Sequence, residues 1–577
     1  MSHLLKKLSI AVISTCAFMA HADTKLGPYE PVTDARLTNP EAKNWLMYRG
    51  NYQGWGYSAL DKINSGNVKN LKLAWSSATG STEGHQAPPI VNNGYMYVTT
   101  PNAQVIALNA ATGEEIWRFK HELPADLLML HNTNRGVALY GDKVYVATVD
   151  SNLFALDATT GKVAWKTTVG DVKALHYITL APLAAKGKIL VGSSGGETGV
   201  RGYVAAFDAV TGKEAWRTFM TAAPGEPGGD TWPGDTHKNG GASVWITGTY
   251  DPASNIAYWG TGNPAPWPTE ARPGDNLYST SVVALDVDSG KIKGHHQYHH
   301  NDAWDWDEVS APILMDTEIN GRKVKGAVHA GRNGYLWMLE RESSGKINFV
   351  NGVPYVYNDV FKGIDKKTGR LTYDDSKRPG MGKAVKFCPS LWGGKDWPPE
   401  AWNPKTNLFY IPANNNLCSE LPAADEVTYK KGDLFIGYPI DGVLGSLRYI
   451  DGKPSTIGEL QAWDLKTGKM AWVHKYDRAI WAPLLTTGGN LLFTGGTNDK
   501  LFRAFDASNG KVLWQYSMPS GVTAVPSSFE VNGEQYIAVQ AGWGIDAQRM
   551  QSGIDALNST VTNVPQGGTI MVFKLEK

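Results

Sequence analysis

The chain has 577 residues, and its 55 basic and 55 acidic side chains give a formal net charge of zero at pH 7. This balance gives no reason to expect nucleic acid or an anionic membrane as a partner. The 63 glycines fit many tight turns, and the 21 tryptophans indicate a structural role that is repeated many times.

Residues 1–22 have the features of a secretory signal peptide. Lys6 and Lys7 precede an apolar run over residues 8–20, and Ala20-His21-Ala22 forms a small-x-small cleavage site. The run is shorter than the roughly 20 apolar residues that a membrane span needs, and no later stretch is long enough, so we predict no membrane span. We expect the remainder, residues 23–577, to be a single domain exported to the periplasm.

Export bears on the cysteines. Loss of the signal peptide would remove Cys16 and leave Cys388 and Cys418, which we predict form one disulfide in an oxidising compartment. The sequence has no Cys-x-x-Cys-His motif, so it encodes no covalently attached haem.

An eleven-residue phrase recurs along the chain and runs from an apolar pair through an Asp or Asn and a Gly to a Trp. Clear copies occupy residues 107–117, 155–165, 206–216, 462–472 and 504–514, and degenerate copies occupy 284–294 and 339–349. Each copy is typical of a strand, a turn and a second strand. Neighbouring clear copies start 42 to 51 residues apart, about the length of one four-stranded propeller blade.

These copies and a related segment at residues 71–75 predict an all-β fold, an eight-bladed β-propeller in which each tryptophan docks against the next blade. The alternative is a row of unrelated β domains. The regular spacing breaks between residues 206 and 284 and between residues 350 and 458. Long insertions in a propeller lie at its ends, and we expect the active site there.

The segment 299–309 places four acids around two tryptophans, Trp304 and Trp306. If the segment is extended, Asp305 and Asp307 point one way and the tryptophans the other. Two like charges this close are costly unless a cation or a shared proton relieves them. A solvated acidic loop is the alternative, but indoles are highly buried on average. The segment therefore predicts a metal-assisted catalytic site.

Together these features resemble the quinoprotein alcohol dehydrogenases that use pyrroloquinoline quinone (PQQ). Further motifs match that family in order and spacing, at residues 192–202, 260–267, 272–276, 329–334, 403–414 and 542–544. The resemblance covers essentially the whole chain after the signal peptide. It implies PQQ and one metal ion as cofactors.

The resemblance also implies roles for particular residues. The metal ligands would be Glu197, Asn263, Asp305 and Asp307, since oxygen donors suit a hard cation such as calcium. Asp305 would remove the hydroxyl proton of the alcohol as general base. Arg332 would lie beside the quinone oxygens, where positive charge stabilises the reduced cofactor.

Asp307 bears on the identity of the metal. In the lanthanide-using members of the family a second Asp lies two residues after the catalytic one, and an extra negative ligand suits a trivalent ion. Related sugar dehydrogenases can carry an acid there too, and Glu308 replaces the more usual Gly. The sequence therefore favours a lanthanide and leaves calcium open.

For the quinone pocket, the resemblance implies that the ring stacks on Trp245. Further cofactor contacts would come from Gln86, Arg135, Thr179, Ser194, Gly195, Gly196, Arg332, Asp396, Trp397 and Trp481. Cys388 and Cys418 fall at the family's structural disulfide.

Three positions depart from the family pattern. Gln86 stands for the usual Glu and Asp396 for the usual Asn. An adjacent cysteine pair that covers the quinone in the family is Met129-Leu130 here, which leaves these side chains or His131 to cover the ring.

The resemblance implies an exported enzyme that oxidises a primary alcohol to an aldehyde and passes electrons to a separate soluble cytochrome c. One alternative keeps the cofactors but oxidises a bulkier polyol, sugar or cyclic alcohol. Another is a propeller without activity that serves as a scaffold. The sequence leaves open which alcohol is used and the oligomeric state, a homodimer included.

Overall fold

A computed structural model describes residues 26–576. The predicted signal peptide, with Cys16, lies outside the described residues and stays a prediction. None of the described helices is long and apolar enough to cross a membrane.

The all-β prediction is confirmed, because the regular structure of the described chain consists largely of antiparallel sheets. In spatial order, sheet 1 comprises Leu71–Ala78, Thr569–Leu575, Glu534–Ala541 and Ser527–Val531, and sheet 2 comprises Ile90–Asn92, Tyr95–Thr100, Gln104–Asn109 and Glu115–Lys120. Sheet 3 comprises Ala138–Tyr140, Lys143–Ala147, Asn152–Asp157 and Val163–Thr168, and sheet 4 comprises Leu183–Ala185, Lys188–Gly192, Tyr203–Asp208 and Glu214–Phe219.

Sheets 5 to 8 continue along the chain. Sheet 5 comprises Thr249–Asp251, Ile256–Gly260, Ser281–Asp286 and Ile292–Gln297, and sheet 6 comprises Ile313–Ile319, Arg322–Ala330, Tyr335–Arg341 and Ile347–Pro354. Sheet 7 comprises Ala401–Asn403, Leu408–Asn414, Gly458–Asp464 and Lys469–Lys475, and sheet 8 comprises Tyr57–Ser58, Leu485–Thr487, Leu491–Thr494, Leu501–Asp506 and Val512–Ser517.

The remaining elements lie in the connections. Two small sheets join Phe361–Ile364 with Leu371–Tyr373, and Val385–Phe387 with Leu417–Leu421 and Leu447–Tyr449. The α-helices are Asp34–Thr38, Ile440–Leu444 and Ile545–Asn558. Short 3-10 helices are Val68–Asn70, Val172–Ala174, Gly196–Thr198, Gly229–Thr231, Thr236–Asn239, Thr269–Ala271 and Asp375–Lys377.

The two ends of the described chain meet in sheet 1. Leu71–Ala78 pairs with Thr569–Leu575 along its whole length, so an early strand completes a sheet built from the last three strands. Within a sheet, inner strands such as Gln104–Asn109 are buried throughout, whereas outer strands such as Val163–Thr168 alternate between exposed and half-buried residues. The core therefore lies between the faces of neighbouring sheets.

The phrase tryptophans connect consecutive sheets. Six of them in the described chain donate the indole N–H to a carbonyl in the following sheet over 2.9–3.1 Å: Trp75 to Ala110, Trp117 to Ala158, Trp165 to Ala209, Trp216 to Val287, Trp472 to Ala507 and Trp514 to Leu71. The last of these returns from sheet 8 to sheet 1. A buried indole N–H needs such an acceptor.

Five of these six indoles also rest on the turn glycine of the next phrase. A Cβ on Gly161, which has a φ of +70°, would lie 2.5 Å from the Trp117 ring. Gly113, Gly212, Gly290 and Gly510 have the same relation to the preceding indole. The phrase therefore needs glycine both for the left-handed turn and for the close approach of the indole.

We expect Gly161→Ala to lower the free energy of unfolding by about 3 kcal/mol, because the methyl group meets both an unfavourable backbone conformation and the Trp117 ring. Gly533→Ala is the matched control, since Gly533 has a φ of +78° and open space around its Cβ position. The control should cost only about 1 kcal/mol, the backbone part. Equal losses in urea titrations of the two variants would contradict the packing role of Gly161.

Candidate active site

Three carboxylates converge at one end of the sheets. Glu197 lies in the 3-10 helix Gly196–Thr198, and Asp305 and Asp307 lie in the connection between sheets 5 and 6. One oxygen from each of the three lies within 4.8 Å of the other two. Carboxylates this close repel one another unless a cation or a proton intervenes, so the cluster is a candidate cation site.

The backbone of the acidic segment is not a regular extended strand. Asp305 has a φ of +60°, in the left-handed region, so the condition of an extended segment is not met at this residue. The Asp302 carboxylate stabilises this turn, since it accepts the backbone N–H groups of Trp304 and Asp305 over 3.2 and 3.0 Å. A short polar residue such as Asp tolerates the left-handed region better than most residues.

The two tryptophans of the segment lie on the side away from the acids. Trp304 and Trp306 are fully buried, and their rings stack with centroids 5.1 Å apart. Their indole N–H groups donate to the carbonyls of Lys377 and Ser390, each over 2.9 Å. The predicted separation of acids from indoles therefore holds, and the indoles fix the acids against the long insertion after sheet 6.

Arg332 is the cation in contact with these acids. Its guanidinium lies 3.3 Å from Asp305, 3.5 Å from Asp307 and 3.2 Å from Asp396. Two further hydrogen bonds to the Leu391 carbonyl, at 2.9 and 2.7 Å, fix its orientation. A single guanidinium cannot neutralise three ionised carboxylates, so their full ionisation requires further positive charge.

This environment raises the pKa values of Asp305 and Asp307. Burial raises the pKa of Asp305 well above its usual range, and Asp307 and Glu197 add to the rise while Arg332 opposes it. Burial likewise raises the pKa of Asp307 to about 7, against the effect of Arg332. Both shifts disfavour the charged forms, and a bound cation would reverse them.

A flat aromatic surface adjoins the carboxylates. Trp245 donates its indole N–H to Asp307 over 3.2 Å. The Arg135 guanidinium lies 4.9 Å from the Trp245 ring centroid and 4.7 Å from that of Trp397, and it donates to the Thr179 hydroxyl over 2.7 Å. Aromatic faces and a buried cation beside them suit a planar, anionic ligand.

Most of the predicted site residues share one cavity. Those that line it are Arg135, Thr179, Ser194, Gly195, Glu197, Trp245, Asp305, Asp307, Arg332 and Asp396.

The other five predicted residues, Gln86, Gly196, Asn263, Trp397 and Trp481, lie outside the cavity lining. Asn263 donates its backbone N–H to Asp307 over 2.7 Å, and Trp481 packs edge-on against Trp392 at 5.5 Å. These two therefore contact residues of the wall.

The structure adds residues that the sequence did not single out. These are Tyr177, Trp267, Leu391, Trp392, Leu434, Ile436, Ile440, Val443, Leu444, Asp546 and Arg549. Leu130 and His131, which the sequence analysis named as residues that could cover the ring, line the same cavity. Seven of the added residues belong to the long insertion, namely Leu391, Trp392 and the five from Leu434 to Leu444, so its lost repeat spacing was a signal. Asp546 and Arg549 follow the 542–544 motif directly.

Glu308, the residue after Asp307, is fully buried and takes part in several hydrogen bonds. Its carboxylate accepts the backbone N–H groups of Arg332 and Asn333, each over 3.1 Å, and lies 2.7 Å from His329 Nε2. The neighbouring His299 places Nδ1 3.5 Å from Glu308. Although burial alone would raise it, hydrogen bonds to the two histidines hold the pKa of Glu308 at about 2. Glu308 therefore fixes the backbone that carries Arg332.

Cys388 and Cys418 form the predicted disulfide. It ties the segment that supplies the Leu391 carbonyl to the strand Leu417–Leu421. The bond therefore supports the acceptor that orients Arg332.

Comparison with known proteins identifies a matching family and several relatives. Residues 45–360 and 453–537 match the family described as "Glucose/ethanol/alcohol dehydrogenase, beta-propeller domain". The chain is 38% identical to the quinoprotein alcohol dehydrogenase PedH of Pseudomonas putida, with 94% of this chain and 93% of that protein covered.

Two further relatives are methanol dehydrogenases. The chain is 36% identical to the lanthanide-dependent methanol dehydrogenase of Methylacidiphilum fumariolicum, covering 87% of this chain and 85% of that one. Among solved structures, a europium-containing methanol dehydrogenase superposes with a TM-score of 0.87 at 34% identity, covering 94% of this chain and all of that one.

The buried His299 makes stability depend on pH. Burial alone would lower the pKa of His299, but Asp302 and Glu308 raise it to about 9. A raised pKa stabilises the fold fully below the unfolded value of about 6.5, and this contribution is lost as the pH rises through 9. We expect the free energy of unfolding to fall by up to about 3 kcal/mol across this interval.

His299→Gln is the variant that checks this, because glutamine keeps hydrogen-bonding groups but does not titrate. It should be less stable than the parent at pH 6.5 and should lose most of the alkaline slope in urea titrations. An unchanged slope in the variant would assign the pH dependence to another group.

Proposed function

The chain belongs to the PQQ-dependent quinoprotein alcohol dehydrogenases, and we propose that it oxidises a primary alcohol to an aldehyde at the Glu197–Asp305–Asp307 cluster. The observation that carries this proposal is the meeting of three carboxylate oxygens within 4.8 Å beside Arg332 and a flat aromatic wall. Enzymes of this family are all-β propellers, in agreement with the sheets described above.

The eight sheets of four or five strands act, in this proposal, as eight blades of one ring closed by sheet 1. The tryptophan hydrogen bonds between consecutive sheets support that arrangement. A closed ring matters for function because it removes free sheet edges and holds the connections that carry the site in fixed positions.

The pocket residues fit PQQ, which is a planar tricarboxylate. Trp245 offers a flat face, and Arg135 is buried with its Nε lacking a hydrogen-bond partner. A buried, incompletely paired guanidinium is costly unless an anion completes its hydrogen bonds. Thr179 and Ser194, whose hydroxyls lie 3.2 Å apart, add neutral donors at the same wall.

The carboxylate cluster fits a hard metal ion. Glu197, Asp305 and Asp307 supply the oxygen donors, and the Asn263 side chain adds an amide oxygen in this proposal. Asp307 accepts hydrogen bonds from Trp245 and from the Asn263 backbone, which leaves it oriented toward the cluster. Three negative ligands favour a trivalent lanthanide over calcium by Coulomb attraction.

When bound, the quinone and the metal ion supply a hydride acceptor and a Lewis acid that polarises its carbonyl. Asp305 takes the proton of the substrate hydroxyl as general base. Arg332, held by the Leu391 carbonyl and by Glu308 beneath its backbone, keeps Asp305 in position and adds positive charge where negative charge develops.

We propose that the enzyme is exported to the periplasm and passes its electrons to a separate soluble cytochrome c. The sequence of residues 1–22 supports export, and the absence of a haem-attachment motif in the sequence supports a separate electron acceptor. A scaffold without activity is disfavoured, because the named relatives are dehydrogenases.

A second candidate keeps this chemistry and changes the substrate to a bulkier alcohol. It is favoured by the apolar wall of the insertion, where Leu434, Ile440 and Leu444 line the cavity and remain 40, 48 and 49% exposed. A panel from methanol to cyclic alcohols and sugars separates the candidates, since the primary-alcohol proposal fails if only bulky substrates turn over.

For the base, we expect Asp305→Asn to lower turnover at least about 100-fold, because the amide cannot take up the hydroxyl proton. PQQ and metal content must be measured in the same preparation, since Asp305 is also a proposed ligand. The exposed Asp375→Asn is the control and should retain full activity. Loaded Asp305→Asn enzyme with near-parental turnover would remove Asp305 from this role.

For the metal, we expect Asp307→Ala to abolish the activity supported by lanthanum while sparing or improving the calcium-supported rate. The reason is that a trivalent ion depends more on a third negative ligand than a divalent one does. Steady-state rates should be measured with each ion added to metal-free enzyme. Equal losses with both ions would contradict a lanthanide-specific role.

A further inference from the structure

Two segments far apart in sequence form part of the cavity wall. One is the loop at residues 129–131, where the family resemblance leads one to expect an adjacent cysteine pair and this chain has Met129-Leu130. The other is the start of the C-terminal helix Ile545–Asn558. Leu130 and His131 from the loop and Asp546 from the helix all line the cavity.

A charged contact joins the two segments. His131 Nδ1 lies 3.0 Å from Asp546 Oδ1, and Arg549, one helical turn further on, lies 3.6 Å from the same oxygen. Asp546 is in the first turn of the helix, where the helix dipole favours a negative charge. The His131–Asp546 pair therefore connects the loop to the helix, and the helix dipole stabilises the charge on Asp546.

The charges on this pair are mutually stabilised. Burial alone would lower the pKa of His131 and raise that of Asp546. Asp546 nevertheless raises the pKa of His131 above its usual value, and His131 and Arg549 hold the pKa of Asp546 at about 2. The side chain of Asp546 is only 10% exposed and that of His131 27%. The interaction is thus partly shielded from water and is stronger than an exposed surface pair.

The helix end of the contact is firmly anchored. Met550 and Ile554 are buried against the strand Leu447–Tyr449, and Asn558 donates to the Tyr449 hydroxyl over 3.0 Å. Trp543, just before the helix, donates to Gln548 over 3.0 Å. Movement at the wall therefore requires the 129–131 loop to part from Asp546.

We propose that the His131–Asp546 ion pair is a clasp that retains the cofactor in its slot, in place of a covalent cysteine pair. The clasp rests on the proposed function, because it presupposes that PQQ occupies the cavity beside Trp245. His131 and Asp546 are positioning residues here: they hold one wall shut and take no proton from the substrate. A noncovalent clasp opens and closes without a redox step, so the loading of cofactor does not depend on thiol chemistry.

The test measures release of PQQ from loaded enzyme. Holoenzyme is passed through gel filtration at timed intervals, and retained quinone is followed by its absorbance, with lanthanum and calcium in separate series. We expect about tenfold faster release from His131→Gln and from Asp546→Asn than from the parent. The double variant should release no faster than either single variant, because the same contact is already lost.

His121→Gln is the matched control. His121 pairs with Asp150 over 2.7 Å in the same fold but lines no part of the cavity. Its release rate should equal that of the parent. Similar acceleration in this control would show that loss of any His–Asp pair loosens the protein, and would overturn the clasp.

Release from the parent at low and high salt gives a second measurement if a variant folds poorly. Salt screens a partly exposed ion pair, so release should accelerate in 1 M NaCl. The acceleration should be smaller in the two variants, in which only the contacts of PQQ with residues such as Arg135 remain to be screened. Salt-insensitive release, or release from His131→Gln at the parental rate, overturns the clasp while leaving the proposed function intact. A parent that never takes up PQQ overturns the proposed function itself.

Discussion

Repulsion among carboxylates is the constraint on which the site depends. Glu197, Asp305 and Asp307 hold oxygens within 4.8 Å of one another in a place where burial already disfavours charge. Arg332 offsets part of this cost but also contacts Asp396. A cation between the acids would remove the remainder, so an arrangement that is unfavourable for the acids alone is favourable for binding a highly charged ion.

The fold tolerates this cluster because rigid elements hold it from several sides. Stacked Trp304 and Trp306 anchor the acidic segment against the insertion, and Asp302 fixes its left-handed turn. Glu308 accepts the backbone N–H of Arg332, and the Leu391 carbonyl accepts from its guanidinium. Such support matters because a catalytic group gains little from an altered pKa unless its position is also fixed.

The periodic part of the sequence was sufficient to predict the sheets. Strand, turn and strand could be read from each phrase, and the glycine that closes the turn also receives the preceding indole, as Gly161 does for Trp117. The resemblance also named Asp305, Asp307 and Arg332, which line one cavity. It did not anticipate the roles of Glu308, Asp546 or the apolar residues 434–444, because these act through contacts between segments with no shared sequence pattern.

The sequence by itself determined the all-β class, the repeat, the family, the disulfide partners and ten of the site residues that line the cavity. These depend on local periodicity and on motifs, which are properties of neighbouring residues. Only the tertiary structure decided that Asp305 turns through the left-handed region, that Glu308 supports Arg332, and that His131 meets Asp546. Their distances and burial arise when remote segments pack together, and burial in turn sets the pKa values on which the chemistry relies.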